Sequence, residues 1–113
     1  MKKPKEEFIE EIRKTAKNIY LREHALKRCI QRGIDPKSIQ KEIEERSELI
    51  EYYPDDPHGP SGLLLVELNS KTPLHIVCSP RKSLLYIVSI YKPDLNIWKK
   101  DWRTRRRKKD EDR

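Results

Sequence analysis

Three runs of aliphatic and β-branched residues in the second half of the chain constrain its fold more than any other feature. Such runs are typical of β-strands, and they are LLLVEL at 63–68, PLHIVC at 73–78 and SLLYIVSIY at 83–91. The connections between them, Asn69–Thr72 and Ser79–Lys82, are too short for a crossover. Neighbouring strands must therefore be antiparallel. With LIEYY at 49–53 as a further strand, the sequence predicts a four-stranded antiparallel meander.

The first half of the chain shows helical spacing instead. Residues 5–17 form an amphipathic helix whose apolar stripe is Phe8, Ile9, Ile12 and Ala16. We expect a break at Asn18 and Ile19 and a second helix from about Tyr20 to Arg32. Its predicted buried arc is Leu21, Ala25, Leu26, Cys29 and Ile30.

Gly33 follows the second helix and predicts a left-handed cap at its end. Asp35 and Pro36 predict a new N-cap and first turn, so a third helix covers roughly 36–46. Asp94 is expected to cap a short helix that runs through Trp98 and Trp102.

Together these elements predict the α+β class, with two to three N-terminal helices on one face of the sheet and a short C-terminal helix. We place one domain at 1–106. Residues 107–113 are predicted to be a charged, mobile tail.

The balance of charge points to a polyanionic partner. The 113 residues carry a net charge of +7. Residues 99–113 have nine basic and four acidic side chains, so most of the excess lies there. Such a basic segment attracts phosphate backbones without sequence preference.

Other function classes are disfavoured by what the sequence lacks. The first residues show no apolar segment of a secretory signal, and no apolar run reaches the roughly 20 residues of a membrane span. Cys29 and Cys78 fall among apolar neighbours and are expected to be buried thiols rather than a disulfide. We therefore expect a cytoplasmic protein. Three glycines in the whole chain argue against a nucleotide-binding loop.

One polar stripe of the second predicted helix attracts attention. His24, Arg28 and Arg32 are spaced four residues apart, so they align on one side of a helix. An imidazole can act as acid or base near neutral pH, and a guanidinium binds two phosphate oxygens and keeps its charge. The stripe is either a solvated rim or a site for an anion.

Six segments in order resemble a known prokaryotic family, domain of unknown function 4258, over about residues 20–106. They are HALKRCIQRGI, IEYYPDD, GLLLVE, PLHIVC, IVSIYKPDLNIW and DWRTR. The family is grouped with the RelE-like toxin ribonucleases of the barnase–EndoU–colicin–RelE fold. His58 and the longer basic tail depart from the family pattern.

The resemblance implies a cytoplasmic toxin of a toxin–antitoxin system that acts on RNA or on the ribosome. It also implies a zinc-finger antitoxin of the MqsA type, encoded nearby, as partner. The activity we expect is metal-independent endoribonuclease cleavage. The alternative of another class is a non-catalytic module of the same fold that binds RNA, the ribosome or the antitoxin.

The residue roles follow from the chemistry of RNA cleavage, which needs a base, an acid and cations at the phosphate. We predict His24, His75 and Tyr91 as the catalytic set. The predicted phosphate-binding residues are Arg28, Arg32, Arg103, Arg105 and Arg106. Glu51 is a further candidate, as orienter or base, and Tyr52, Tyr53, Trp98 and Trp102 are candidates for stacking on bases.

Each of these side chains also has a structural interpretation. The histidines can be packed or hydrogen-bonded groups, and the aromatic residues can complete the core. A metal site built from Asp55, Asp56, His58, His24 and His75 is disfavoured, because no metal-ligand spacing is present. We expect no metal and no other cofactor.

Overall fold

The computed structural model describes residues 3–69 and 71–106, and its α+β class confirms the prediction. The helices are α1 (Pro4–Thr15), α2 (Glu23–Arg32) and α3 (Pro36–Arg46). The strands are β1 (Ile19–Leu21), β2 (Glu48–Tyr53), β3 (Ser61–Leu68), β4 (Thr72–Arg81) and β5 (Leu84–Tyr91). The predicted tail at 107–113 lies outside the described residues.

The end of α2 and the start of α3 form as the sequence predicts. Gly33 adopts the left-handed conformation, with φ of 64°, and its N–H bonds back to the last turn of α2. The Asp35 carboxylate then accepts a hydrogen bond of 2.9 Å from the Lys37 N–H, with Pro36 at the first helical position. These local signals fix where α2 ends and α3 begins.

The sheet contains the predicted meander and one strand that was not predicted. Its order is β1-β5-β4-β3-β2, and β2 to β5 pair antiparallel. The break expected at Asn18 and Ile19 is confirmed, because α1 ends at Thr15 and no helix resumes before Glu23. The helix start at Tyr20 is wrong: residues 19–21 form β1, which pairs parallel with residues 85–87. A strand of three residues is too short to show period-two alternation, and its partner is distant in sequence.

All three helices pack on one face of the sheet and form a single core with it. The buried residues of this core are Phe8, Ile12, Ala16, Ala25, Cys29, Ile39, Ile43, Leu64, Val66, Leu74, Ile76, Cys78, Leu85, Ile87 and Ile90. Both cysteines are free and buried, as predicted, and burial raises the pKa of each thiol.

Two residues of the predicted arc of α2 are not in this core. Leu26 is 44% exposed and Ile30 is 72% exposed, so their predicted burial is wrong. Only Ala25 and Cys29 of α2 are buried. The helix lies over β5 and β1 at the margin of the sheet, and it therefore buries a narrow stripe rather than a broad arc.

The short helix predicted after Asp94 is also wrong. Asp94 caps a turn, accepting a hydrogen bond from the Asn96 N–H at 2.9 Å. The chain then folds back on itself, and Trp98 pairs with Arg105 in an antiparallel bridge. Trp98 is buried whereas Trp102, with φ of 61°, is only partly buried, so the two rings do not share a helical face. The pairing of Trp98 with Arg105 therefore prevents the helix that the spacing of Trp98 and Trp102 predicts.

Candidate functional site

The face of the sheet opposite the helices, here called the outer face, carries most of the candidate residues. Along β4, Ile76 and Cys78 point into the core, and His75, Val77 and Ser79 alternate onto the outer face. Residues 94–106, here called the C-terminal segment, cover one end of the outer face. The other end is open and forms a cleft.

This cleft, here called the basic cleft, has a volume of about 540 Å³. One wall comes from the start of α2, the opposite wall from the loop between β2 and β3, and the floor from β3, β4 and β5. The lining residues are Arg22, Glu23, His24, Lys27, Asp56, His58, Gly59, Ser61, Val77, Ser79, Arg81 and Val88. Four separate segments of the sequence therefore meet in one concave site.

Two histidines and three cations dominate the chemistry of the basic cleft. His24 and His58 are both exposed, one on each wall. Arg22, Lys27 and Arg81 supply positive charge. Glu23 also lines the cleft, and its carboxylate lies 3.3 Å from the Lys27 ammonium group. Both side chains are exposed, so this ion pair contributes little to stability. Imidazoles beside guanidinium groups suit a phosphodiester better than a neutral ligand.

Asp56 organises the loop that carries His58. Its carboxylate accepts a hydrogen bond of 3.0 Å from the His58 N–H and one of 2.8 Å from the Ser61 hydroxyl. These two bonds lower the pKa of Asp56, so the group is ionised at neutral pH. Nδ1 of His58 lies 3.7 Å from the carboxylate, and a protonated His58 would form an ion pair there.

Arg81 joins the floor of the cleft to the same loop. Its Nη2 donates a hydrogen bond to the His58 carbonyl oxygen, while its Nε is buried and has no partner among the described residues. Gly59 follows with a φ of 106°, a backbone conformation that favours glycine, and so allows the loop to turn at this point. The guanidinium is thus held at the cleft with one donor unused.

His75 lies at the covered end of the outer face and is fully buried. Its Nε2 is 2.7 Å from the Trp102 carbonyl oxygen, and its Nδ1 is 3.2 Å from the Tyr91 hydroxyl. A carbonyl can only accept, so Nε2 carries the proton and Nδ1 accepts from Tyr91. The Trp98 ring packs edge-on against the imidazole, with ring centroids 4.4 Å apart.

The surroundings of His75 favour its neutral form. Burial is the main cause that lowers its pKa, and the positive charge of Arg105 adds to it. The bond to Trp102 and the charge of Glu51 act in the opposite direction but do not outweigh burial. His75 is therefore a neutral, fully bonded group in this conformation, and RNA could reach it only after the C-terminal segment moved.

Two arginine–glutamate pairs fasten the C-terminal segment to β2. Arg105 donates to both carboxylate oxygens of Glu51, at 2.7 and 3.0 Å. Arg103 does the same to Glu48, at 2.5 and 3.0 Å. Burial alone would raise the pKa of Glu51, but its hydrogen bonds from Arg105 and Tyr53 lower it overall.

The predicted catalytic and phosphate-binding residues are therefore divided among several places. His24 lies in the basic cleft, whereas His75 and Tyr91 lie under the C-terminal segment. Arg28 is half-buried, and Arg32 lines a different cleft, together with Lys92. The predicted stripe on α2 thus spans two clefts rather than one site.

Arg103, Arg105 and Arg106 all have partners within the fold. The first two bind Glu48 and Glu51, and the third donates to the Leu95 carbonyl oxygen. Arg103 and Arg105 are still about half exposed, at 46% and 53% of the side chain. Their predicted contacts with RNA phosphate stay predictions.

Sequence reasoning missed three cations of the basic cleft, Arg22, Lys27 and Arg81. It considered His58 only as a departure from the family pattern and as a candidate metal ligand. Arg81 was placed in a connection, but β4 continues to that residue.

Within residues 3–69 and 71–106, no group of three or more His, Cys, Asp or Glu side chains could hold a metal ion. None of the described helices is long and apolar enough to cross a membrane.

Comparison with known proteins places the chain in a family. No curated protein and no solved structure matches it. The model of the family described as Domain of unknown function (DUF4258) matches residues 21–92. The matched range runs from the end of β1 past the end of β5 and contains every residue that lines the basic cleft. The chain therefore belongs to the DUF4258 family.

Proposed function

We propose that the protein is a metal-independent endoribonuclease that binds RNA in the basic cleft, and that it serves as the toxin of a toxin–antitoxin system. The observation that carries this proposal is the pair of exposed histidines, His24 and His58, on opposite walls of a cleft with three cations. The RelE-like resemblance supports the choice of RNA as the polyanion and a zinc-finger antitoxin as the partner.

The cleavage step uses the two imidazoles as a general base and a general acid. One imidazole takes the proton of the ribose 2′-hydroxyl, and the 2′-oxygen attacks the adjacent phosphorus. The bond from phosphorus to the 5′-oxygen breaks, and the other histidine, as imidazolium, gives its proton to that oxygen. The products are a 2′,3′-cyclic phosphate and a 5′-hydroxyl end.

The cations of the cleft stabilise the charge that develops on the phosphate. The Arg81 guanidinium lines the cleft and is fixed in place by its bond to the His58 carbonyl oxygen. A donor that is already oriented needs no reorganisation during the reaction, which is the main source of electrostatic stabilisation in enzymes. Arg22 and Lys27 attract the neighbouring phosphates of the chain.

His75 and Tyr91 take a supporting role in this proposal. They anchor the C-terminal segment through the Trp102 carbonyl and the Trp98 ring, and this fixes one end of the outer face. The catalytic roles predicted for them from the sequence are the competing assignment, and the same assay separates the two.

The test is incubation of the purified protein with a labelled single-stranded RNA, with and without EDTA. We expect cleavage that survives EDTA and leaves 2′,3′-cyclic phosphate ends. His24→Ala and His58→Ala should each slow cleavage by about 10²- to 10⁴-fold. Because both side chains are exposed, the thermal stability of these variants should be unchanged.

Lys37→Ala is the matched control, since Lys37 is an exposed residue of α3 that does not line the basic cleft. Cleavage that EDTA abolishes would contradict the mechanism. Tight RNA binding without cleavage, on free RNA and on translating ribosomes, would instead support the non-catalytic binding module. A loss of activity in His75→Gln, with the protein still folded and His24→Ala fully active, would favour the competing assignment.

A further inference from the structure

An aromatic pair stands on the outer face beside the basic cleft. Tyr20 of β1 and Tyr86 of β5 are register partners, and their ring centroids are 5.2 Å apart. Their chain neighbours at 19, 21, 85 and 87 face the core, so both rings point to the outer face. Tyr20 is 53% exposed although it belongs to a sheet strand. The pair adds little to the core that the helices form.

The pair continues into the cleft through Arg81. The guanidinium carbon of Arg81 lies 4.9 Å from the centroid of the Tyr86 ring, a cation–π contact. Tyr86 is also the register partner of Ser79, which lines the cleft floor. A row therefore runs from Tyr20 at the sheet margin through Tyr86 to the cationic floor.

A row of aromatic rings and cationic side chains is complementary to a single-stranded nucleic acid, which has bases and phosphates. Each nucleotide offers a flat base that can stack on an aromatic ring and a phosphate that can bind a guanidinium. In a duplex, the bases are paired and stacked on each other and cannot use such a ring. A protein that reads only the shape of a duplex needs cations but no exposed ring.

We propose that Tyr20 and Tyr86 form a stacking platform for an unpaired RNA base at the mouth of the basic cleft. The platform makes single-stranded RNA the substrate class, and Arg81 holds the phosphate next to the stacked base. This inference rests on the proposed function for the identity of the polymer, but not on cleavage.

The experiment measures binding of a labelled 2′-O-methyl RNA of about ten nucleotides, within the range of site sizes for single-strand binding. This RNA lacks the attacking hydroxyl, so the intact wild-type protein cannot cleave it. Fluorescence anisotropy is recorded for the single strand and for the matching duplex, with wild type, Tyr20→Leu and Tyr20→Phe.

We expect Tyr20→Leu to weaken single-strand binding by about tenfold to a hundredfold, the loss typical of one stacked base. Tyr20→Phe keeps the ring and should bind like wild type, and duplex binding should be equal for all three proteins. A series of strands that each lack one base should identify the stacked position. For the strand that lacks this base, Tyr20→Leu and wild type should bind with equal affinity.

Equal single-strand binding by Tyr20→Leu and wild type would overturn the platform, and if ordinary RNA is still cleaved, the proposed function stands. Binding that depends on Tyr20 without cleavage of ordinary RNA would uphold the platform and overturn the nuclease. Failure of the wild type to bind either RNA would overturn both.

Discussion

The two ends of the outer face use the same residue types for opposite purposes. At the open end, His24, His58 and Arg81 line an open cleft. At the covered end, His75 and Arg105 are bonded to protein groups, one to Trp102 and Tyr91 and the other to Glu51. The comparison teaches that residue types identify a site only when their hydrogen-bond partners within the protein are also known. A histidine with both nitrogens satisfied holds a fold together, and an unsatisfied one is available to a ligand.

The largest effect on the covered end should come from removing the His75 side chain. His75→Ala leaves a cavity beside Trp98 and two unpaired polar partners, so it should lower the free energy of unfolding by about 3 kcal/mol. Urea denaturation measures this. The folded fraction should cleave RNA at a rate close to wild type. A folded variant that has lost its activity would break the comparison, since it would place catalysis at the covered end.

At the open end, Arg81→Gln should weaken RNA binding by about tenfold and reduce the slope of log K against log salt by about 1. The reason is the loss of one phosphate contact and of its released counterion. Titrations at several salt concentrations give both numbers. Arg103→Gln is the control, because Arg103 is committed to Glu48. An equal change of slope in this control would show that the C-terminal segment also contacts RNA.

A smaller effect is expected from the ion pair that fastens the C-terminal segment. A double-mutant cycle with Glu51→Gln and Arg105→Gln should give a coupling energy of about 0.5–1 kcal/mol, because the pair is bidentate but partly exposed. High salt should reduce it. The exposed pair Glu23–Lys27 should give about 0.3 kcal/mol in the same measurement. Equal coupling energies would mean that the bidentate geometry adds nothing.

The smallest expected effect is the loss of folding stability at acidic pH. The pKa of His75 is lowered in the folded state relative to its usual 6.5, so between these two values the unfolded chain binds more protons. Stability that is present above pH 6.5 should therefore decrease as the pH falls below about 6.5. The decrease should be smaller in His75→Gln, as measured by urea denaturation at a series of pH values. Parallel curves for the two proteins would contradict a neutral, buried His75.

Local features of the fold were predictable from the sequence, and long-range ones were not. The cap at Gly33 and the helix start at Asp35 depend on a few adjacent residues. The meander depends on short connections. Strand β1 and the path of residues 94–106 depend on pairing with distant partners, and no local pattern reports such a partner.

The candidate site was predicted only in part for the same reason. His24 was identified by its residue type and its neighbours on the helix, and it does line the basic cleft. Its companions in the cleft come from the loop at His58 and from the end of β4 at Arg81. Nothing in the spacing of these segments shows that they meet, since the sheet register alone brings them together.

The parallel pairing of β1 with β5 has a consequence for the order of events during synthesis. Residues 19–21 pair with residues 85–87, and the Arg22 N–H bonds to the Ile87 carbonyl at 3.0 Å. The wall of the cleft that carries His24 is thus fixed only once the last strand has been made. Contacts so distant in sequence are slow to form, because the long loop between them must first be closed. Under our proposal, a nascent chain that ends before β5 is therefore an incomplete nuclease, and the ribosome that makes the protein is exposed to an inactive chain for most of its translation.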